Sequence, residues 1–244
     1  MTSDTGTVVS VSVAWAELEG AMQTGDLLVF AGSEALSRWI ELLTGGPFSH
    51  VAMIYRPDPA EPPLLWQEAP VGVVVDPRVG KAHPGAQLGD ALGAAQTIFG
   101  LGDVAWYVPL VWQRPASLPA SMEQVISTYE QRPFGTVLEM ALDYAVGRLY
   151  GQSSGDTVLY CAALVATTYM AVGALRRTHP ANWYSPNSFS LAQSAELPWT
   201  SGAGLGTPVQ VALPPGGPGG ITGSRGDWPC GPLAPAALSD PPSS

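Results

Sequence analysis

Two side chains more than a hundred residues apart have the types needed for joint chemistry: the imidazole of His50 and the thiol of Cys161. A thiol attacks a carbonyl as its thiolate, and an imidazole titrates close enough to neutrality to take the proton. Cys161 follows the break QSSGD and the stretch TVLY, and it opens the apolar run CAALVATTYMAV. A helix beginning there sets the sulfur at the positive end of the helix dipole, which lowers a thiol pKa. It also leaves unpaired backbone N–H groups to hold a developing oxyanion. His50 stands at the mouth of the strand-like SHVAMIYR, directly after Gly45, Gly46 and Pro47. The base in turn needs an acceptor to fix its tautomer. LLWQEAP offers Gln67 and Glu68, of which strand alternation turns only one toward the site. Glu68 is the preferred partner, because antiparallel neighbours bring the start of one strand beside the end of the next. Spacing alone does not single out this set.

Other reactive side chains read as bland. The histidines His50, His83 and His179 and the cysteines Cys161 and Cys230 show no C-x-x-C or H-x-x-x-H spacing, so no metal and no cofactor is expected. His83 and His179 stand beside Pro84 and Pro180 and read as exposed loop residues. Asp26 reads as the anchor of the GDLL turn. Tyr160 and Tyr184 are the candidate substrate contacts, and YSPN (184–187) reads as a turn bordering the cleft. Trp39, Trp66, Trp106 and Trp112 read as core.

The elements that must position these residues follow from hydrophobic periodicity. GDLLVF (25–30), SHVAMIYR (49–56), LLWQEAP (64–70), VGVVVDP (71–77) and VAWYVPLVW (104–112) read as strands, the last interrupted by Pro109. The third and fourth of these read as a hairpin-like pair. SEALSRWIELLTGG (33–46) reads as an amphipathic helix capped by Ser33, with Leu36, Ile40 and Leu43 on one face. Residues 119–131, 133–151 and the Cys161 run also read as helices, with a turn and short helix over 182–194. The Gly-rich stretch 78–103 reads as an irregular insertion. Strands gather early and helices late, so the expected fold is α+β, an antiparallel sheet packed against helices. The expected boundaries are an N-terminal lead over 1–23, one domain over 24–200 and a largely disordered tail over 201–244. Ten glycines and nine prolines lie in that tail, where only TPVQVAL (207–213) reads as a strand.

The 244 residues carry a formal charge of −10, with a single lysine, Lys81. Phosphate neutralisation needs clustered Lys and Arg, so nucleic acid is excluded as an expected partner, and an anionic lipid surface is disfavoured. Residues 158–175 contain no charge, yet they are short of a bilayer span and include Tyr160, Thr167, Thr168 and Tyr169. A buried helix is expected, with no membrane insertion. No Lys or Arg occurs before Arg38, so no signal peptide is expected and a cytoplasmic location follows.

The order GDLLVF, helix, GGPFSHVAMIY, QEAPVGVV, LYCAALVATTY, WYSPNSF resembles the circularly permuted, papain-like (YiiX/YaeF-like) branch of the NlpC/P60 superfamily. There the histidine strand precedes the cysteine helix. The resemblance spans residues 24 to 192 and is strongest at SHVAM, EAPVGV, YCAALV and YSPNSF. It implies a papain-like core in which Cys161 is the nucleophile, His50 the general base and Glu68 the residue that orients His50. Ala162 departs from the small hydroxyl residue that members often carry after the cysteine. The implied activity is thiol-dependent hydrolysis of an amide or ester, as an amidase or peptidase on cell-wall-type peptides or on a lipid-linked acyl bond. The alternatives are a lecithin-retinol-type acyltransferase or phospholipase, and a binding module that does not cleave its peptide or lipid. The expected partner is a small peptide or acyl-amide substrate.

Overall fold

In the computed structural model the described residues are 12–32, 44–69, 72, 74–99, 104–153 and 159–214. They form a mixed α+β fold around a seven-stranded sheet. In chain order the elements are β1 (Val13–Ala14), α1 (Trp15–Glu19), β2 (Leu27–Ala31), β3 (His50–Tyr55), β4 (Leu64–Ala69), β5 (Gly85–Asp90), α2 (Ala91–Phe99), β6 (Val104–Val108) and β7 (Leu110–Val111). Then follow α3 (Leu118–Tyr129), α4 (Val137–Tyr150), α5 (Cys161–Val172), 3-10 turns at Ala181–Trp183 and Pro186–Phe189, α6 (Leu191–Ser194), β8 (Gly204–Leu205) and β9 (Val209–Ala212). The strand order is β1-β9-β6-β2-β3-β4-β5, antiparallel throughout except for β1 against β9, while β7 and β8 pair separately.

Both faces of the sheet are covered, which is why β2 and β3 read as unbroken apolar runs instead of alternating ones. On one face Val29, Val51, Met53, Trp66 and Leu88 pack against α3 and α5. On the other Leu28, Phe30, Ala52, Ile54 and Leu65 pack against α1 and α2 through Trp15, Ala91, Ala94 and Ala95. The small side chains Ala162, Ala163 and Ala166 let α5 lie close to the sheet. Its far end is tethered by Tyr169 Oη to Gly25 O at 2.6 Å and by Trp66 Nε1 to Thr168 Oγ1 at 3.2 Å. Gly173, at φ 84°, adopts the left-handed conformation that stops the helix.

Several expectations change. VGVVVDP is not the partner of β4: residues 72 and 74–77 lie outside the strands, and β4 pairs with β5 instead. The stretch read as an insertion therefore supplies an edge strand and a helix of the domain. Glycine made it look irregular, but Gly85 and Gly89 sit where side chains would collide. A Cβ on Gly85 would stand 2.0 Å from Arg132 O. The domain also reaches past both expected boundaries, since Trp15 and Met22 are buried and β9 pairs with β6. The strand expected within TPVQVAL is β9. The helix expected over 33–46, with Trp39, lies mostly outside the described residues, as do Cys230 and the tail from 215. His83 is buried, not exposed, with Nε2 3.3 Å from Asp76 Oδ2. His179 is half-buried and stacks on Trp183 at 4.3 Å. No described helix is long and apolar enough to cross a membrane.

Candidate functional site

His50 is the first residue of β3, and the loop before it is held by a residue 139 positions away. Asn187, buried in the second 3-10 turn, accepts from Phe48 N–H at 3.0 Å and donates to Phe48 O at 3.0 Å and to Thr44 Oγ1 at 2.6 Å. One amide thus satisfies both backbone groups of Phe48, as a neighbouring strand would. Gly46 lets the loop approach, for a Cβ there would stand 2.4 Å from Asn187 Oδ1. Reading YSPN as a cleft-side turn missed this clamp; its signal was an asparagine after proline, in a turn flanked by apolar residues.

The histidine ring faces the α1/α2 side of the sheet, beside Phe30 at 5.3 Å between ring centroids. Its Nε2 lies 3.3 Å from Gln67 Oε1. An amide oxygen can only accept, so this contact assigns the ring proton to Nε2 and leaves Nδ1 as the free lone pair. Removal from water lowers the imidazole pKa to about 4, although the hydrogen bond to Gln67 works in the opposite direction.

Glu68 does not orient His50. Side chains alternate along β4, and Glu68 shares its face with Trp66, opposite the face used by Gln67 and His50. The choice between the two neighbours, left to alternation by the sequence, falls to Gln67. Glu68 is fully buried, and neither carboxylate oxygen has a hydrogen-bond partner among the described residues. Burial pushes its pKa up to about 9, so it is a neutral acid at pH 7.

Cys161 is the first residue of α5 and is nearly buried. The backbone N–H groups of Val51, Ala162 and Cys161 itself each favour its thiolate. Val51 is available for a structural reason. N–H groups along a strand point alternately to the two neighbours, and Ile54 donates to Asp26 O on the β2 side. Val51 therefore points toward β4, whose ladder with β3 ends at Met53 and Trp66. Where the strands part, the N–H of the residue next to His50 acts on the Cys161 thiol. No hydrogen bond joins Cys161 to His50: the thiol belongs to the α3/α5 side of the sheet and the ring to the other. The expected depressed thiol pKa is also corrected. Burial outweighs the N–H groups and raises it to about 11. At neutral pH the pair is thiol and neutral imidazole, not thiolate and imidazolium.

The tyrosines expected to meet substrate are packed inside. Tyr160 Oη lies 2.6 Å from Asn182 O and 2.9 Å from Tyr184 O, tying the start of α5 to the turns after it. Tyr184 has no exposure and stacks on Phe189 at 6.0 Å. Asp26 anchors its turn as expected, accepting from Gln23 N, Leu110 N, Tyr107 Oη and Arg114 Nη2. No group of three or more His, Cys, Asp or Glu among the described residues is arranged to hold a metal ion.

No protein-family model matches the chain, and no curated protein matches it. Among solved structures, it is similar to the metalloprotein YiiX from Escherichia coli O157:H7. The identity is 17 % and the TM-score 0.41, over 63 % of this chain and 68 % of that one. A likeness this loose assigns no family and no residue role.

Proposed function

We propose that the chain is a cysteine hydrolase of amide or ester bonds, with Cys161 as nucleophile, His50 as general base and Gln67 as the residue that holds the base. The observation carrying this reading is at Val51: its N–H, with those of Ala162 and Cys161, favours the thiolate at Cys161, and the preceding residue is a histidine whose remaining ring nitrogen is unengaged. N–H groups that stabilise a thiolate also suit the oxyanion of a tetrahedral intermediate.

Because the resting pair is uncharged, the chemistry is general-base catalysis. His50 Nδ1 takes the proton as Sγ attacks the carbonyl carbon, and the carbonyl oxygen becomes an anion facing the N–H groups. Collapse breaks the bond to the leaving amine or alcohol, which receives the proton from His50. Water, deprotonated by the same nitrogen, then cleaves the thioester and restores the thiol. Ring and sulfur stand on opposite faces of the sheet, so this transfer requires His50 to turn from Gln67 at the start of β3 or to act through a water. Peptide amides and lipid-linked acyl bonds both fit this scheme.

Iodoacetamide labelling at pH 7.5, mapped by peptide mass, tests the reading. Labelling at Cys161 in the folded chain that falls at least about tenfold in His50→Ala supports a base-assisted thiol. An unchanged rate in His50→Ala overturns it.

A further inference from the structure

Glu68 has lost the role of orienting His50, yet its position is costly. A buried polar group without a partner destabilises a fold by about 1–3 kcal/mol. Here both oxygens of a fully buried carboxyl are unpartnered among the described residues. The side chain projects from β4 to the same face as Trp66 and Val51, the face against which the start of α5 packs. It stands two residues beyond the last β3–β4 pair, level with Val51 at the parting of the strands.

We infer, building on the hydrolase reading, that Glu68 is a positioning residue for the nucleophile, its carboxyl O–H donating a hydrogen bond to the Cys161 sulfur as the sulfur becomes anionic. The proton stays on Glu68 throughout, so no bond is made or broken there. The sulfur gains a fourth donor beside the three backbone N–H groups, on the side from which His50 is absent. A charge on Glu68 raises the thiol pKa further, so ionisation of the carboxyl opposes the thiolate. The other titratable neighbour of the thiol is Tyr160 at the helix start, on which Asp143 and Tyr144 of α4 act. None of these affects Glu68, whose shift comes from burial alone.

The test is the pH profile of iodoacetamide alkylation at Cys161, from pH 6 to pH 11, in the full chain and its Glu68→Gln and Glu68→Ala variants. An amide N–H replaces the carboxyl O–H but cannot ionise. Glu68→Gln is expected to keep the neutral-pH rate within about threefold and to react faster than the parent above pH 9, where the parent is restrained. Glu68→Ala lacks a donor and should lose about tenfold at neutral pH, the size expected for one hydrogen bond to a charged group. Loss of the neutral rate in Glu68→Gln to the level of Glu68→Ala overturns the inference, as do superimposable profiles for all three proteins. Difference infrared spectra of parent against Glu68→Gln at pH 7 give a second reading that needs no reactivity. A protonated carboxyl stretch supports the inference, and a carboxylate band contradicts it. The hydrolase reading fails separately, through an unchanged rate in His50→Ala.

Discussion

Gln67 and His50 meet across a single 3.3 Å contact, and that contact decides which ring nitrogen is left to act as a base. Removing it has two consequences that a purely structural role would not produce. The hydrogen bond raises the imidazole pKa, so Gln67→Ala should move the His50 titration, followed by NMR, below its present value of about 4. Thiol reactivity should fall about tenfold as the tautomer is released, with Gln67→Asn recovering part of the rate. At this scale the sequence was half legible. The types and the strands of His50 and Cys161 could be read from it, and so could the rivalry between Gln67 and Glu68. What decides the rivalry is the face on which His50 emerges, set by pairing of Phe30 with His50, and such a register is not written in local pattern. The thiol pKa was misjudged for a related reason: the helix dipole is visible in a sequence, whereas near-complete burial of Cys161 beneath neighbouring elements is not.

Elements place the site more than local sequence does. The loop carrying His50 hangs on Asn187 from the far side of the chain, through two backbone hydrogen bonds at Phe48 and one to Thr44. Asn187→Ala leaves those half-buried backbone groups without their partner and should cost about 1–3 kcal/mol in urea unfolding. It should also slow Cys161 labelling, because the start of β3 is no longer fixed; Asn187→Asp, which keeps the acceptor for Phe48 N–H, should be milder. The helices at Leu118–Tyr129 and Val137–Tyr150 were legible because their punctuation is local. The second opens with a capping box of Thr136 and Glu139 and closes at Gly151, φ 62°. β5 was illegible because GAQLGD is small and Gly-rich. Its glycines answer to Arg132 O and Val74 pressed against it, contacts that only the folded chain creates.

For the whole molecule, His50 and Glu68 make stability depend on pH with opposite signs. The folded chain binds the Glu68 proton more tightly than the unfolded chain does. Stability should therefore fall as pH rises from the ordinary carboxylate range toward about 9. His50 binds its proton less tightly when folded, so stability should fall as pH drops from the ordinary imidazole value toward about 4. Thermal melts from pH 4 to pH 10 should show both limbs, and Glu68→Gln should flatten only the alkaline one. The α+β class and the nucleus of β2, β3 and β4 were legible from composition and apolar runs. The extent of the sheet was not: β9 could be read from TPVQVAL, but its pairing with β6 and with the two-residue β1 could not. The measurement that bears most directly on the whole account is intact mass of the chain after brief exposure to an activated acyl ester at pH 8. The account predicts one added acyl group, bound as a thioester at Cys161, formed at least about tenfold more slowly in His50→Ala and absent in Cys161→Ala. Acylation elsewhere with none at Cys161, or the same rate with and without His50, would contradict it.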